Sequence, residues 1–177
     1  MLIGFFLPAE RVIANLAVEL NGSPAAYFDQ YSSRHGQQLI WKHAWKRFQW
    51  EGYPMNIVDL GGPDSGIGTK LGYYTGGKQS GSLGAFFSSI ARGNGEIVEC
   101  EKNKKVVIEI KFGFVTTTRE NLFEESGDNQ TRITWTETVK ASNPLTRWLL
   151  LVSDDSSSTA FEQVLLALDD VVNGKNS

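Results

Sequence analysis

Two side chains of this sequence have the chemistry to move protons beside an apolar space: Glu137 and His43. Glu137 lies in a segment, TRITWTETV, whose side chains alternate between the two faces of a predicted strand. Its face also carries three apolar side chains, those of Ile133, Trp135 and Val139. We therefore expect this face to point inward, which would make Glu137 a candidate acid, base or ligand anchor. Two alternatives are open, because Glu137 could reach water at the strand end or pair with an Arg or Lys.

His43 is the second candidate for proton transfer, since imidazole titrates near neutral pH. It lies among aromatic residues that are expected at the rim of a pocket. The alternative is a rim or surface histidine without a catalytic role.

Aromatic side chains are suited to line a cavity for an apolar molecule. Together with Glu137, the candidates for ligand contact are Trp41, Trp45, Tyr73 and Trp135. Trp41 and Trp45 are four residues apart and share one face of a predicted helix. The Tyr73 hydroxyl could orient a mostly apolar ligand. Core packing explains the tryptophans nearly as well.

Metal and phosphate chemistry are not predicted. The two histidines and the single cysteine, Cys100, lack the spacing of a metal site. The segment GPDSGIGTK is superficially similar to a phosphate-binding loop, but a strand pattern follows Gly68-Thr69-Lys70 where that loop requires a helix. We predict a hairpin turn there, no metal and no cofactor.

The composition is that of a globular protein, with 177 residues, 41% hydrophobic residues and a net charge of −3. No basic excess is clustered on one segment, so binding to nucleic acid is not expected. A single cysteine excludes an intrachain disulfide and fits a cytoplasmic location.

The candidate residues must be positioned by a strand, two short helices, a series of strands and a long C-terminal helix. Ser23-Pro24 predicts the start of the first helix, which we expect to stop by Gly36, and the second helix is expected over Leu39–Trp50. A capping box of Thr159 and Glu162 predicts the start of the last helix. The predicted strands are Glu10–Leu20, Met55–Leu60, Thr69–Thr75, Leu83–Ala91, Glu96–Glu101, Val106–Phe114, Thr117–Glu125 and Thr131–Lys140.

Short turns between the strands indicate an antiparallel sheet. Gly93-Asn94-Gly95 is expected to be such a turn or a bulge inside one long strand. A curved sheet that closes on the amphipathic last helix leaves a cavity between them.

Several motifs, in their order and spacing, resemble the SRPBCC superfamily, the START and birch-pollen-allergen-like helix-grip proteins. The polyketide cyclase/dehydrase and lipid-transport branch is the most similar. The motifs are Phe6-Leu7-Pro8, Asn21-Gly22-Ser23-Pro24, Gly61-Gly62-Pro63-x-x-Gly66-x-Gly68-Thr69, Asn103 with VVIEIKF after it, Gly127-Asp128-x-x-Thr131-Arg132-Ile133-x-Trp135 and Asn143-Pro144-Leu145-x-Arg147. The pair Trp41 and Trp45 is spaced one residue wider than the Trp-x-x-Trp common in that superfamily.

The resemblance implies an α+β helix-grip fold, in which a curved antiparallel sheet of about seven strands wraps around a long C-terminal helix, with two short helices after the first strand. It implies that a small hydrophobic or amphipathic partner, such as a lipid, sterol or polyketide-like molecule, binds in an internal cavity. The first alternative is a cofactor-independent enzyme of the polyketide cyclase/dehydratase type that uses acid/base residues in the same cavity. The second is a protein-interaction or chaperone-like module without a small ligand.

The N-terminal residues 1–8 are apolar and too few to span a bilayer. We expect them to be a cap on the domain, a peripheral membrane foot or the stub of a longer anchor, followed by one helix-grip domain over residues 9–174. An anchor stub would permit peripheral contact with a membrane, and a membrane-associated location is the alternative to the cytoplasm.

Overall fold

The structure, a computed structural model, describes residues 9–48, 55–75, 92–144, 147 and 157–175. Within these ranges the helical residues are Pro144, Arg147 and three longer helices: α1 (Pro24–Tyr31), α2 (Arg34–Phe48) and α3 (Ser157–Val172). The strands in the same ranges are β1 (Glu10–Asn21), β2 (Met55–Asp59), β3 (Lys70–Thr75), β4 (Arg92–Glu101), β5 (Lys105–Phe112), β6 (Val115–Gly127) and β7 (Gln130–Ala141). Residues 1–8 and the predicted strand Leu83–Ala91 lie outside the described residues, so the domain boundary after residue 8 stays a prediction.

The described strands form one antiparallel sheet in the order β1-β7-β6-β5-β4-β3-β2. Strands β2 to β7 are neighbours in chain order, whereas β1 pairs with β7, the last strand. Helix α3 packs against α1, α2 and β1, and its buried side chains Val164, Leu165 and Leu168 belong to the same core as the inner face of the sheet. The predicted helix-grip architecture is confirmed, including the two short helices after the first strand.

The inner faces of β6 and β7 combine apolar and polar side chains. Alternate residues of β7 are buried, and Ile133, Trp135, Glu137 and Val139 point inward as predicted. The buried residues of β6 are more polar: Thr117, Arg119, Asn121 and Phe123. The core therefore contains charged and amide groups in the middle of the sheet.

The junction between α1 and α2 differs from the prediction. Helix α1 begins at the predicted cap, Ser23-Pro24, but α2 already begins at Arg34. Ser33 Oγ caps α2 by accepting a hydrogen bond from the Gly36 amide at 3.0 Å. Gly36 is therefore part of α2 and does not end a helix. A Cβ atom on it would lie 1.8 Å from the Gln30 carbonyl oxygen, so glycine permits the close approach of the two helices.

Strand β4 runs through Gly93-Asn94-Gly95 without a turn, so the predicted turn is wrong. The bulge alternative is wrong as well, because the register shift against β5 lies between Ile97 and Glu99. A Cβ atom at Gly93 would lie 2.3 Å from the Phe112 ring, and one at Gly95 would lie 2.6 Å from the Tyr73 ring. The glycines are present because aromatic rings of the two neighbouring strands pack over this part of β4.

Helix α3 begins at Ser157, two residues before the predicted cap, so Thr159 lies in its first turn and the predicted start is wrong. The helix ends at Val172, two residues before Gly174. Gly174 has a φ angle of +63°, and the following Lys175 amide donates a hydrogen bond to the Asp170 carbonyl at 2.9 Å.

The glycine-rich segment between β2 and β3 is a hairpin loop, as predicted. Positive φ angles occur at four of its glycines: Gly61, Gly62, Gly66 and Gly68. Arg34 of α2 closes this loop. Its guanidinium donates to the carbonyl oxygens of residues 61, 62 and 63 at 2.9, 2.9 and 3.0 Å, and to the carboxylates of Asp59 and Asp64 at 2.8 and 3.2 Å.

We expect Arg34→Lys to destabilise the protein by about 1–3 kcal/mol although it keeps the positive charge. An ammonium group has three donors and cannot reach five acceptors that are arranged for a planar guanidinium. Urea unfolding followed by circular dichroism measures the change. The control is Lys104→Ala, because Lys104 pairs with Glu101 on an exposed hairpin tip and its loss is expected to leave the midpoint nearly unchanged. Equal midpoints for Arg34→Lys and the unmodified protein would show that the loop does not depend on the guanidinium.

Candidate functional site

A buried ion pair lies on the inner face of the sheet. Arg119 of β6 and Glu137 of β7 are directly opposite each other, and both side chains are 5% exposed. Arg119 Nε donates to Glu137 Oε2 at 2.8 Å, and Nη2 donates to Oε1 at 3.2 Å. The indole Nε1 of Trp135 donates to the same Oε2 at 3.0 Å. Glu137 therefore pairs with an arginine, one of the two alternatives open from the sequence, and accepts three hydrogen bonds.

Four aromatic rings surround the guanidinium. The Arg119 Cζ atom is 4.5 Å from the ring centroid of Trp135, 5.2 Å from that of Trp41, and 5.9 Å from those of Tyr73 and Phe161. Such cation–π contacts are strongest where water is excluded, as it is here. We call this group the arginine cage: Arg119, Glu137, Trp41, Tyr73, Trp135 and Phe161. The structure thus brings four of the sequence-predicted residues together around an arginine that the sequence analysis did not identify.

Unpartnered polar atoms occur at and beside the cage. Within the described part of the chain, Arg119 Nη1, the Tyr73 hydroxyl and Asn121 Oδ1 are shielded from solvent and have no hydrogen-bond partner. The other atom of the Asn121 amide, Nδ2, donates to the Tyr31 hydroxyl at 2.8 Å. Buried polar atoms are nearly always paired in folded proteins, and each exception calls for an explanation.

Burial sets the protonation of the two tyrosines. It raises the pKa of Tyr73 to about 12, although the Arg119 charge and the closeness of the Arg119 guanidinium to the hydroxyl act in the opposite direction. Burial also raises the pKa of Tyr31, again against the influence of Arg119. Burial alone would lower the pKa of Arg119, but Glu137 and the two tyrosines outweigh it and raise that pKa. At neutral pH the site therefore contains a guanidinium and two protonated hydroxyl groups.

Helix α3 contributes Phe161 to the arginine cage and is fixed at its C-terminal half. Arg47 of α2 forms an ion pair with Asp170 at 2.5 Å, and the Tyr27 hydroxyl of α1 donates to Asp169 at 2.7 Å. Phe161 lies nearer the N-terminus of α3, and its ring stacks on Trp135 with a centroid distance of 5.0 Å. Phe161 is only partly buried, so it is the cage member at the boundary with solvent.

His43 and Trp45, the remaining predicted residues, are half-buried on α2. Each takes part in an interaction of its own. Their assignment to proton transfer and to ligand contact stays a prediction.

Two grooves of the described residues lie on the surface, away from the arginine cage. The first, of about 410 Å³, is bordered by Phe28, Asp29, Ser32, Ser33, Ser65, Gly66, Cys100 and Lys102. Burial raises the pKa of the Cys100 thiol, which disfavours the reactive thiolate. The second, of about 360 Å³, lies over β3, β4 and β5 and includes Leu60, Lys70, Val98 and Lys111. None of the helices in the described ranges has the length and hydropathy to cross a bilayer.

The unpartnered Tyr73 hydroxyl gives a stability prediction. Tyr73→Phe is expected to leave the free energy of unfolding unchanged or slightly higher, because it removes a buried polar group without a partner. The matched variant Tyr31→Phe is expected to lower it by about 1–3 kcal/mol, because the Asn121 amide then loses its acceptor. Urea unfolding of the two variants provides the comparison. A larger loss for Tyr73→Phe than for Tyr31→Phe would mean that the Tyr73 hydroxyl has a partner after all.

Solved structures of similar architecture identify the fold of this chain. The chain has the helix-grip fold, and the resemblance seen in its motifs is confirmed at the level of the fold. Norcoclaurine synthase from Thalictrum flavum, solved in complex with dopamine and hydroxybenzaldehyde, is similar with a TM-score of 0.61 and 11% identity, over 100% of this chain and 94% of that one.

Two further structures have the same architecture. Ara h 8.0201 aligns with a TM-score of 0.55 and 11% identity, over 94% of this chain and 99% of that one. Protein Ms6760 from Mycobacterium smegmatis aligns with a TM-score of 0.54 and 15% identity, over 92% and 91%. No family model matches the sequence, and no curated protein matches it either.

Proposed function

We propose that this protein binds a small hydrophobic or amphipathic molecule, of a lipid, sterol or polyketide-like kind, between the sheet and α3. Trp41, Trp45, Tyr73 and Trp135 would be its walls, and the polar centre of the arginine cage would orient it. The observation that carries the proposal is the set of unpartnered polar atoms among aromatic rings. Each such atom costs about 1–3 kcal/mol in a dry interior, and a bound molecule that supplies a partner recovers part of that energy.

Entry of a molecule requires a side chain to move, because the unpartnered atoms are shielded from solvent. Phe161 is suited to this role, since it is partly buried and lies towards the end of α3 opposite the contacts of Asp169 and Asp170. A ligand ring that replaced Phe161 on the Trp135 face would preserve the stacking. Its affinity would come mainly from buried apolar area, about 25 cal/mol per Å² before ordering costs.

A protein of similar fold that was solved with bound molecules supports the same proposal by analogy. The structure of norcoclaurine synthase contains dopamine and hydroxybenzaldehyde, which are small aromatic molecules. We extend this to the present chain only as a class of ligand. We further propose that residues 9–174 form one domain in the cytoplasm. A membrane contact through residues 1–8 is an additional prediction.

The geometry favours binding over the cyclase/dehydratase alternative. That alternative needs Glu137 and His43 to exchange protons with a substrate. Glu137 instead accepts three hydrogen bonds from Arg119 and Trp135, which uses three of its roughly four acceptor sites and favours the ionised form over proton exchange. If Glu137→Gln and His43→Ala abolished turnover of a candidate substrate while the fold was retained, the enzymatic alternative would replace the binding one.

Native mass spectrometry of the purified protein, combined with Nile red fluorescence, tests the proposal. We expect either a co-purified small molecule or saturable binding of this neutral apolar dye. Phe161→Ala should increase dye binding because it enlarges the interior. Phe114→Ala is the matched control, since Phe114 is 68% exposed, and it should change nothing. Absence of both a trapped molecule and saturable dye binding would favour the protein-interaction alternative.

A further inference from the structure

The three unpartnered atoms at the centre of the fold differ in hydrogen-bonding character. Arg119 Nη1 can only donate, Asn121 Oδ1 can only accept, and the Tyr73 hydroxyl can do both. Arg119 and Asn121 are two residues apart on β6 and share its inner face. Tyr73 approaches from β3, with its ring 5.9 Å from the guanidinium. Donor and acceptor capacity thus occur together.

A ligand group that satisfies this set must both accept and donate a hydrogen bond. A hydroxyl group accepts from Arg119 or Tyr73 through its oxygen and donates its own proton to Asn121 Oδ1. An ether or ketone oxygen accepts only, so the Asn121 oxygen would remain unpartnered. An apolar ligand would leave all three atoms as they are.

The charges of the arginine cage select against ions. The positive charge of Arg119 is already balanced by Glu137, and both side chains are 5% exposed. A carboxylate or phosphate bound there would bring an additional uncompensated negative charge into a dry site. An ammonium group would instead be repelled by the guanidinium, because both groups are positively charged. The site therefore has donors for an oxygen atom but lacks a spare charge for an ion.

We infer that the interior site recognises a neutral hydroxyl group, that of a phenol or an alcohol on a flat apolar body, through Arg119, Tyr73 and Asn121. This inference rests on the proposed function, because it requires that a molecule enters the core. It assigns the choice of ligand to polar residues of β3 and β6, whereas the tryptophans supply most of the contact area.

Four probes with one naphthalene body test the inference: 2-naphthol, naphthalene, 2-methoxynaphthalene and 2-naphthoate. Their dissociation constants are measured by displacement of Nile red. We expect 2-naphthol to bind about threefold to tenfold more tightly than naphthalene and 2-methoxynaphthalene, the range for one added hydrogen bond. 2-Naphthoate should bind weakest. Equal affinities of naphthol and methoxynaphthalene, or tightest binding of naphthoate, would overturn the inference.

The variant Tyr73→Phe localises the effect, because the Tyr73 hydroxyl makes no hydrogen bond of ordinary geometry in the described residues, although it lies close to the Arg119 guanidinium. We expect it to reduce the preference for 2-naphthol over naphthalene severalfold, because phenylalanine keeps the aromatic wall and removes only the hydroxyl. Tyr74→Phe is the control, since Tyr74 lies on the other face of β3, and it should keep the full preference.

The outcomes separate the two proposals. If Nile red binds but the naphthol preference is absent, or survives Tyr73→Phe in full, the hydroxyl inference is wrong while interior binding stands. If Nile red itself does not bind, the proposed function fails and the inference fails with it.

Discussion

Arg119→Met is expected to destabilise the protein by about 3–5 kcal/mol, the largest effect of any substitution proposed for it. The methionine retains much of the apolar stem, so the loss comes mainly from the Glu137 carboxylate, which would be 5% exposed and without its cation. Glu137→Leu should have a comparable effect, because it leaves the guanidinium unpaired among four aromatic rings.

The double variant Arg119→Met/Glu137→Leu separates unpaired charge from lost packing. If the cost of each single variant is the uncompensated charge, removing both charges should restore most of the stability. Urea unfolding followed by tryptophan fluorescence measures all three variants. Should the two single losses instead add in the double variant, the ion pair would be a source of net stability, and its retention would need no functional reason.

A recovered double variant would strengthen the functional interpretation. A buried ion pair that apolar residues can replace is not required for stability, so a role in ligand binding becomes one explanation for its presence beside fold specificity. The double variant should then have lost the preference for hydroxyl-bearing probes, because Arg119 Nη1 is one of the proposed donors.

Gly36→Ala is the second substitution with a large expected effect. We expect it to lower the free energy of unfolding, whereas helix propensity alone predicts an increase. Alanine in the first turn of α2 should by propensity stabilise the helix by up to about 1 kcal/mol. A Cβ atom there would lie 1.8 Å from the Gln30 carbonyl oxygen. Since both atoms belong to backbone-anchored groups, α1 and α2 must separate, and we expect a net loss of about 1–3 kcal/mol or more.

Gly127→Ala is the matched control for Gly36. Its new Cβ atom would lie 3.0 Å from Gln130 Oε1, the end of an exposed side chain that can move away. We expect a change in thermal midpoint only for Gly36→Ala, together with altered Trp41 fluorescence because α2 positions that ring. A gain in stability for Gly36→Ala would show that the helices can separate freely.

Much of the fold follows from local sequence patterns. The alternation in β7 correctly placed Trp135 and Glu137 on the inner face, and Ser23-Pro24 correctly placed the start of α1. These predictions succeeded because a strand's alternation and a helix cap involve residues close together in the chain.

Arg119 could not be found in this way. Its segment, TTTRENLF, has polar residues at successive positions, so alternation does not reveal which face is buried. Its partner follows from the hairpin register, which shifts by one residue between Glu125 and Gly127. Counting back from the Gly127–Gln130 pair without that bulge would place Arg119 opposite Thr138 and point it to the wrong face.

The glycines of β4 were misinterpreted for a related reason. Gly93 and Gly95 suggest a turn when only their neighbours in the sequence are considered, but the rings that require them belong to Phe112 and Tyr73, on two other strands. Arg34 is a similar case, since its acceptors lie 25 to 30 residues further along the chain. At each of these positions, contacts with residues distant in the sequence determine which residue type is required.

The pairing of β1 with β7 has a consequence for biosynthesis. β1 ends at Asn21, and its partner strand begins at Gln130, so the ribosome must add more than a hundred further residues before the ladder can form. At about 5–20 residues per second the nascent β1 waits on the order of 5–20 s with its inner face uncovered. Chaperones that shield emerging chains therefore have a defined segment to protect, and slowing translation should raise the aggregated fraction.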